Sequence, residues 1–430
     1  VSLFGARLFY FLRPCCARCY NKNMLKVKSR RHKWLVWALS IIFLVIIVGA
    51  GYYFLKDTVV PKDKKASQTT EATTKSPQPV GIYSNLLFTG NIFWGRYIND
   101  WSVASPLKTA YPFSRLNEFN RDQYNAWISG LECPTKAGVN MTSAQMEAAL
   151  QFNCSPEYLP EAAKWFSVVS LANNHTDNQG VDGFTETQAQ LDKNGIQYFG
   201  HYDPRVTEDV CEVIALPVTV TNDDSSKSKG KLPVAMCGYH GVFRIPPAES
   251  VAVMEKYAKY MPVIAMPHMG VEYQSAPDQL KTDFYRSLID GGADMVLGDH
   301  PHWVQNTESY KGHLIVYSMG NFMFDQQDTA EVTRSAAIEV VINTGDNSSD
   351  LVKKWLALGE KCSTFHDSCL SDASSQNLAK LNLTYKFGAV GSNDGNKITK
   401  PATASQMTGI LQRLQWQPTM DKLSAPYSQL

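Results

Sequence analysis

GGADMVLGDHPHWVQNTESYKGHLIVYSMGNFMFD (residues 291–325) contains two short apolar runs, 295–298 and 314–317. Each is followed at once by side chains that can hold a ligand: Asp299, His300 and His302 after the first, Asn321 and Asp325 after the second. Runs of this length without two-fold alternation read as strands covered on both faces. In an open α/β sheet, ligand-binding groups gather just past the carboxyl ends of the strands. The pattern repeats upstream. SVVSLANNHTD places Asn173, Asn174, His175 and Asp177 after the run 166–172, and VIAMPHMGVEY places His268 and Glu272 after 263–266.

Further apolar runs at 210–218 and 232–237, and a short strand expected at 86–89, extend the series. Amphipathic stretches at 186–194, 250–259 and 278–288 lie between several of them, so the body reads as an α/β fold. Segments 336–342 and 352–358 read as further strands or an edge hairpin around the turn-rich TGDNSSD. Residues 361–430 are rich in Ser, Asn and Gln and read as a C-terminal extension on the surface. No internal repeat is apparent, which argues against a solenoid.

The HPH element (His300, Pro301, His302) sets two imidazoles at i and i+2 with a proline stiffening the link. Imidazole suits Zn, Fe, Ni and Mn, and oxygen ligands from Asn, Asp or Glu beside it suit a hydrolytic centre. Four of the nine histidines, at 175, 268, 300 and 302, fall at expected strand ends. His201, His313 and His366 lack such company, and His240 in GYHG is intermediate. The plainer alternative is that these segments are tight turns whose side chains satisfy backbone groups.

At 430 residues, 44% hydrophobic and 19% charged, the chain can bury a full core, which excludes disordered, collagen-like and small disulfide-stapled classes. Residues 1–35 carry nine basic side chains and no acidic one; the remaining 395 hold 32 basic against 40 acidic, a net of −8. A mildly acidic body argues against nucleic acid as a partner. Residues 34–55 form 22 uncharged residues, and a helix of that length, about 33 Å, crosses about 30 Å of hydrocarbon. The basic cluster Lys26, Lys28, Arg30, Arg31 and Lys33 precedes it, so the positive-inside rule puts 1–33 in the cytoplasm and the main domain outside a single-pass cytoplasmic-membrane anchor. A cleavable signal peptide is the rival reading; the apolar run exceeds a usual h-region of about 7–15 residues. MLKVKSRRHKWLVW from Met24 reads as a conventional lead into the anchor, so 1–23 is a candidate misassigned start. Residues 56–84, rich in Lys, Thr, Ser and Pro, read as a flexible tether.

Cys15, Cys16 and Cys19 lie in the doubtful N-terminal stretch and lack metal-site spacing. The other six cysteines fall on the expected outer side, an oxidising compartment that permits up to three disulfides. Only Cys362–Cys369 is favoured by proximity.

TGNIFWGR (89–96), LECPT (131–135), VVSLANNHTDNQGVDGFTETQAQLDKNGIQYFG (168–200), PHMGVEY (267–273) and the opening stretch, in that order, resemble the CapA-type poly-gamma-glutamate capsule synthesis proteins over about residues 85–345. That family is related to calcineurin-like metallophosphatases. The resemblance implies a four-layer α/β/β/α sandwich over 85–360 and a divalent metal such as Mn, Zn or Fe. It implies Asn174, His268, His300 and His302 as ligands, with His175 as acid or phosphoryl-orienting group. It further implies Glu132 and Glu272 as pocket carboxylates, and Arg96 as an anion-binding partner. Asn91 departs from the pattern, standing where the family's first motif has Gly-Asp, and no Asp-x-His precedes it. A neutral amide there supplies less Coulomb attraction, favouring one metal over two, or binding without catalysis. Two functions are therefore expected: a metal-dependent hydrolase or transferase acting on an anionic envelope polymer such as poly-gamma-glutamate, or a non-catalytic polymer-binding subunit beside membrane synthase partners.

Overall fold

A computed structural model describes residues 76–430. The expected anchor (34–55), the basic N-terminus (1–33) and residues 56–75 of the tether lie outside the described residues. Among the described residues no helix is long and apolar enough to cross a membrane.

Among the described residues fifteen strands form: β1 (Pro79–Ile92), β2 (Ala126–Leu131), β3 (Val168–Ser170), β4 (Gln197–Phe199), β5 (Cys211–Asn222), β6 (Lys227–His240), β7 (Val263–His268), β8 (Met295–Leu297), β9 (Thr307–Tyr310), β10 (His313–Val316), β11 (Asn321–Met323), β12 (Arg334–Thr344), β13 (Leu383–Asn393), β14 (Lys400–Pro401) and β15 (Tyr427–Gln429). The fold is mixed α/β and sheet-rich. β1 is its branch point. Along one edge β1 pairs antiparallel with β5 through Pro79–Tyr83 and then parallel with β2 from Leu86 to Ile92. Along the other edge it pairs with β12 from Tyr83 to Phe88 and with β11 at Asn91 and Ile92. Two arms leave it: β2-β3-β4, all parallel, and β5-β6-β7-β8-β10-β9.

Alternation along the strands separates two cores. Leu86, Phe88, Ile128, Val168 and Phe199 face a core shared with β5 to β10. Leu87, Trp127 and Val169 face a second core, where Phe184 and Leu191 of the helix Gly180–Lys193 pack. The arms approach closely at Gly238 of β6, where a Cβ would lie 2.8 Å from the Ala172 Cβ and 3.2 Å from the Gly200 Cα. Only a residue without a side chain fits there.

Three sequence expectations change. The tether does not reach residue 84, because the ladder to β5 starts at Pro79 and Ile82 is buried. Segment 352–358 is not a strand. It lies in the helix Ser349–Cys362, whose start is fixed by the Ser348 hydroxyl accepting from the Leu351 N–H. Its buried Val352, Trp355, Leu358 and Cys362 recur at helical spacing. Residues 361–430 are not surface decoration. β13 pairs with β12 along eleven residues, the helix Ala404–Leu414 buries Ile410 and Leu414, and Tyr427 donates to Asp294 Oδ1 at 3.2 Å.

All six cysteines beyond residue 75 pair, as Cys133–Cys154, Cys211–Cys237 and Cys362–Cys369. The second joins directly opposed residues of β5 and β6.

Candidate metal centre at the strand ends

The chain delivers its polar side chains where β1, β2, β3, β7 and β8 end. His268 closes β7, and a single bridge to Asp299 continues the β7–β8 pairing beyond the strands. The HPH turn that follows holds His300 at φ 91° and His302 at φ 61°. Two non-glycine residues in this disfavoured region mark a loop whose shape is imposed by its surroundings.

His268 is the hub. Its Nδ1 lies 2.7 Å from Asp299 Oδ1 and 3.2 Å from the Asn173 amide nitrogen. Its Nε2 lies 2.8 Å from Asn174 Oδ1 and 3.1 Å from His300 Nδ1. With the Nδ1–H donated to Asp299 the Nε2 lone pair faces the Asn174 carbonyl oxygen; with the proton on Nε2, that nitrogen donates to Asn174 Oδ1 instead. In the first tautomer a cation between the two acceptors satisfies both. An Asn oxygen and imidazole nitrogens are ligand types that suit Mn, Zn or Fe. Asp299 orients the ring from behind, as carboxylates do for metal-bound histidines.

His302 makes the second half. Its Nδ1 donates to Asn321 Oδ1 at 2.7 Å, so Nε2 carries the lone pair. That nitrogen is 3.7 Å from Glu132 Oε1 and 3.9 Å from Glu272 Oε1. The Glu132 carboxylate is buried and makes no hydrogen bond of ordinary geometry through either oxygen. Asn91 is fully buried, and neither its amide oxygen nor its nitrogen has a partner. It faces the centre: a Cβ built on Gly130 would lie 3.6 Å from Asn91 Oδ1 and 2.3 Å from Asp299 Oδ2. Buried polar groups without partners are uncommon, and three such oxygens, Glu132 Oε1 and Oε2 and Asn91 Oδ1, beside imidazole nitrogens suit a cation.

Burial is the leading cause of every protonation shift here. It holds His268 and His300 well below the usual imidazole range and brings His302 and His175 down to about 4. Burial also raises Asp299 to about 7, with Lys281 and His302 pulling it back. Glu132 is raised by burial and then by Asp299 and Glu272, with Arg96 and Asn173 opposing. The imidazoles are thus neutral at pH 7, as metal ligands must be.

Two residues stand differently from expectation. Arg96 is not a free anion binder. Its Nε and one Nη donate to Asp325 at 2.9 and 2.5 Å, and its guanidinium carbon sits 4.3 Å from the Phe152 ring centroid. Asp325 already neutralises the charge in a buried pair. His175 donates through Nδ1 to Asn178 Oδ1 at 2.8 Å and stacks on Phe152 with centroids 3.8 Å apart. Neutral at pH 7, it presents a proton-accepting Nε2 rather than a ready acid.

The sequence marked Asn173, Asp299, Asn321 and Asp325 as strand-end polar residues without giving them tasks; each orients a neighbour here. Lys281 and Gln305 carried no such signal. Lys281, fully buried, donates to Gln305 Oε1 at 3.1 Å, and Gln305 donates to the carbonyls of Gln274 and Ala276. Away from the strand ends His366 does find company: its Nδ1 lies 3.1 Å from Glu212 Oε1 and 3.2 Å from Asp367 Oδ1, on the surface.

The model of the family described as bacterial capsule synthesis protein PGA_cap matches residues 85–326, more than half of the chain. The chain belongs to this family. The PGA_cap match spans every strand-end motif from Asn91 to Asp325. Among relatives, the PGA biosynthesis protein CapA of Bacillus subtilis (strain 168) is 24% identical over 326 residues, covering 74% of this chain and 80% of that protein. The capsule biosynthesis protein CapA of Bacillus anthracis is 22% identical over 314 residues, covering 70% and 71%. A hypothetical protein of Thermus thermophilus superposes with a TM-score of 0.33 at 16% identity, covering 62% of this chain and 94% of that one; at that score no argument is built on it.

Proposed function

We propose that this PGA_cap protein acts in the biosynthesis of a bacterial envelope polymer of the poly-gamma-glutamate type, as a metal-dependent hydrolase or transferase. The carrying observation is the buried set of donor atoms: His268 Nε2 in contact with both Asn174 Oδ1 and His300 Nδ1, on the same strand ends as His302 Nε2 and the unpartnered Glu132 and Asn91. The two facing arms, with helices on their outer sides, support a metallophosphatase-like α/β/β/α reading. A divalent cation held there supplies Lewis-acid polarisation of an acyl or phosphoryl oxygen. The chain's own residues do the rest. Asp299 and Asn321 fix the rings of His268 and His302, and His175, through Nε2, holds or accepts a proton at the reacting group. Glu272, half-exposed with its carboxyl raised by burial, stands at the mouth. We also propose that residues 34–55 anchor the domain outside the cytoplasmic membrane; the pairing of all six cysteines beyond residue 75 supports an oxidising compartment.

Asn91 favours the second reading, a polymer-binding subunit without turnover, because it lacks the charge that a two-metal clamp uses. Metal analysis of the full-length protein tests both. Retention of at least one equivalent of metal, lost in His268→Ala, together with cleavage of gamma-linked glutamyl oligomers in added Mn or Zn, is the expected result. Tight oligomer binding with no cleavage leaves the binding subunit, and a protein that takes up no Mn, Zn or Fe rejects the enzyme.

A further inference from the structure

A second polar site adjoins the strand-end centre. An open cavity of about 560 Å³ is lined by Ser275, Asn306, Arg334, Gln412, Arg413 and Gln415. Two of these are arginines, and they share one carboxylate. Arg334 Nη2 donates to Glu331 Oε1, and Arg413 Nη2 donates to Glu331 Oε2 at 3.1 Å. Among the described residues neither guanidinium has another acidic partner. Each guanidinium uses one of its three nitrogens; Arg334 Nε and Arg413 Nη1 are buried without any partner. The cluster therefore carries one unit of uncompensated positive charge and several N–H donors in the planar fork that matches carboxylate or phosphate oxygens.

The loops that build the metal centre also build this cavity. Tyr273 N donates to Pro301 O at 2.9 Å, and the Gln305 side chain ties Gln274 and Ala276 to the segment after the HPH turn. Glu272 thus faces His302 while Ser275, three residues on, lines the cavity. One loop, 272–276, runs from His302 to this positively charged cavity, on a body whose net charge is negative.

We propose that Arg334 and Arg413 form an oxyanion subsite that holds a carboxylate or phosphate of the polymer at a unit beyond the reacting one. This rests on the polymer reading above. The test is calorimetric titration of the full chain with a gamma-linked glutamate oligomer and, separately, with inorganic phosphate. Arg413→Gln weakens oligomer binding about tenfold or more, the loss of a charge-assisted contact, while metal content is unchanged. Glu331→Gln, which releases both guanidiniums, tightens it. An ion pair that serves only the fold leaves affinity unchanged in Arg413→Gln and gains nothing in Glu331→Gln; that result overturns the subsite and leaves the polymer reading standing. Phosphate binding that is lost in Arg413→Gln, with no oligomer binding by the wild type, upholds the subsite and overturns glutamate polymer as the substrate. Binding of neither probe overturns both.

Discussion

Asn91 is fully buried and neither of its amide atoms has a partner. An Asn91→Asp change introduces a buried carboxylate beside Asp299 and Glu132. Without metal that carboxylate is unpaired and costs on the order of 3 kcal/mol. We expect a lower melting temperature after chelation, and Mn affinity raised about tenfold because the new charge faces the cation; an unchanged titration would show that the residue has no contact with it. Lys281 gives a pH test. Burial lowers its folded-state pKa to about 7 from 10.5, with Asp299 and Asp278 opposing. Between about pH 7 and 10.5 the unfolded chain holds a proton that the folded one has released, so stability rises with pH across that window. The stability difference between wild type and Lys281→Met should grow in favour of wild type from pH 7 to 9.5 in urea titrations, and a flat difference would place the folded pKa near its ordinary value.

Among the elements, the C-terminal strand decides what can be removed. β13 covers the whole edge of β12, and the Thr307 hydroxyl donates to the Leu414 carbonyl and to Thr419 Oγ1 at 2.8 Å each. Truncation at residue 360 exposes that edge and strips Ile338, Val340 and Ile342 of their cover, so the shortened chain should be recovered aggregated. Soluble, cooperatively melting protein would contradict this. The disulfides differ by loop length. Cys362–Cys369 closes a separation of 7 and Cys133–Cys154 one of 21. Removing the first should cost about 2 kcal/mol and removing the second about 3, compared by denaturant midpoints.

For the molecule as a whole, the parallel strands and the histidines at their ends were legible because continuous apolar runs followed by ligand-type residues leave a local signature. Asn174, His268, His300 and His302 could be found that way. The partner of Arg96 could not, because Asp325 lies 229 positions away and only the closed fold joins them. The segment 352–358 misled because Val, Trp and Leu are good strand residues, and the Ser348 cap that decides for helix precedes the run. Residues 383–393 carry no clear strand signal because alternating Thr, Lys and Gly dilute the strand's apolar content. Chelation should lower the melting temperature of the full chain, since a ligand bound only to the folded state contributes about 2.7 kcal/mol at a hundredfold excess over its Kd.

β1 also fixes when this protein can be finished. Its partners come from residues 126–131, 211–222, 321–323 and 334–344, so Tyr83 meets Asn343 across 260 positions of sequence. Local hairpins such as β5–β6 can close early, whereas the first strand among the described residues is completed only when β12 has been made. Its partners arrive in sequence, β2 first and β12 last, so the edge that β11 and β12 cover is the one that stays open longest during synthesis.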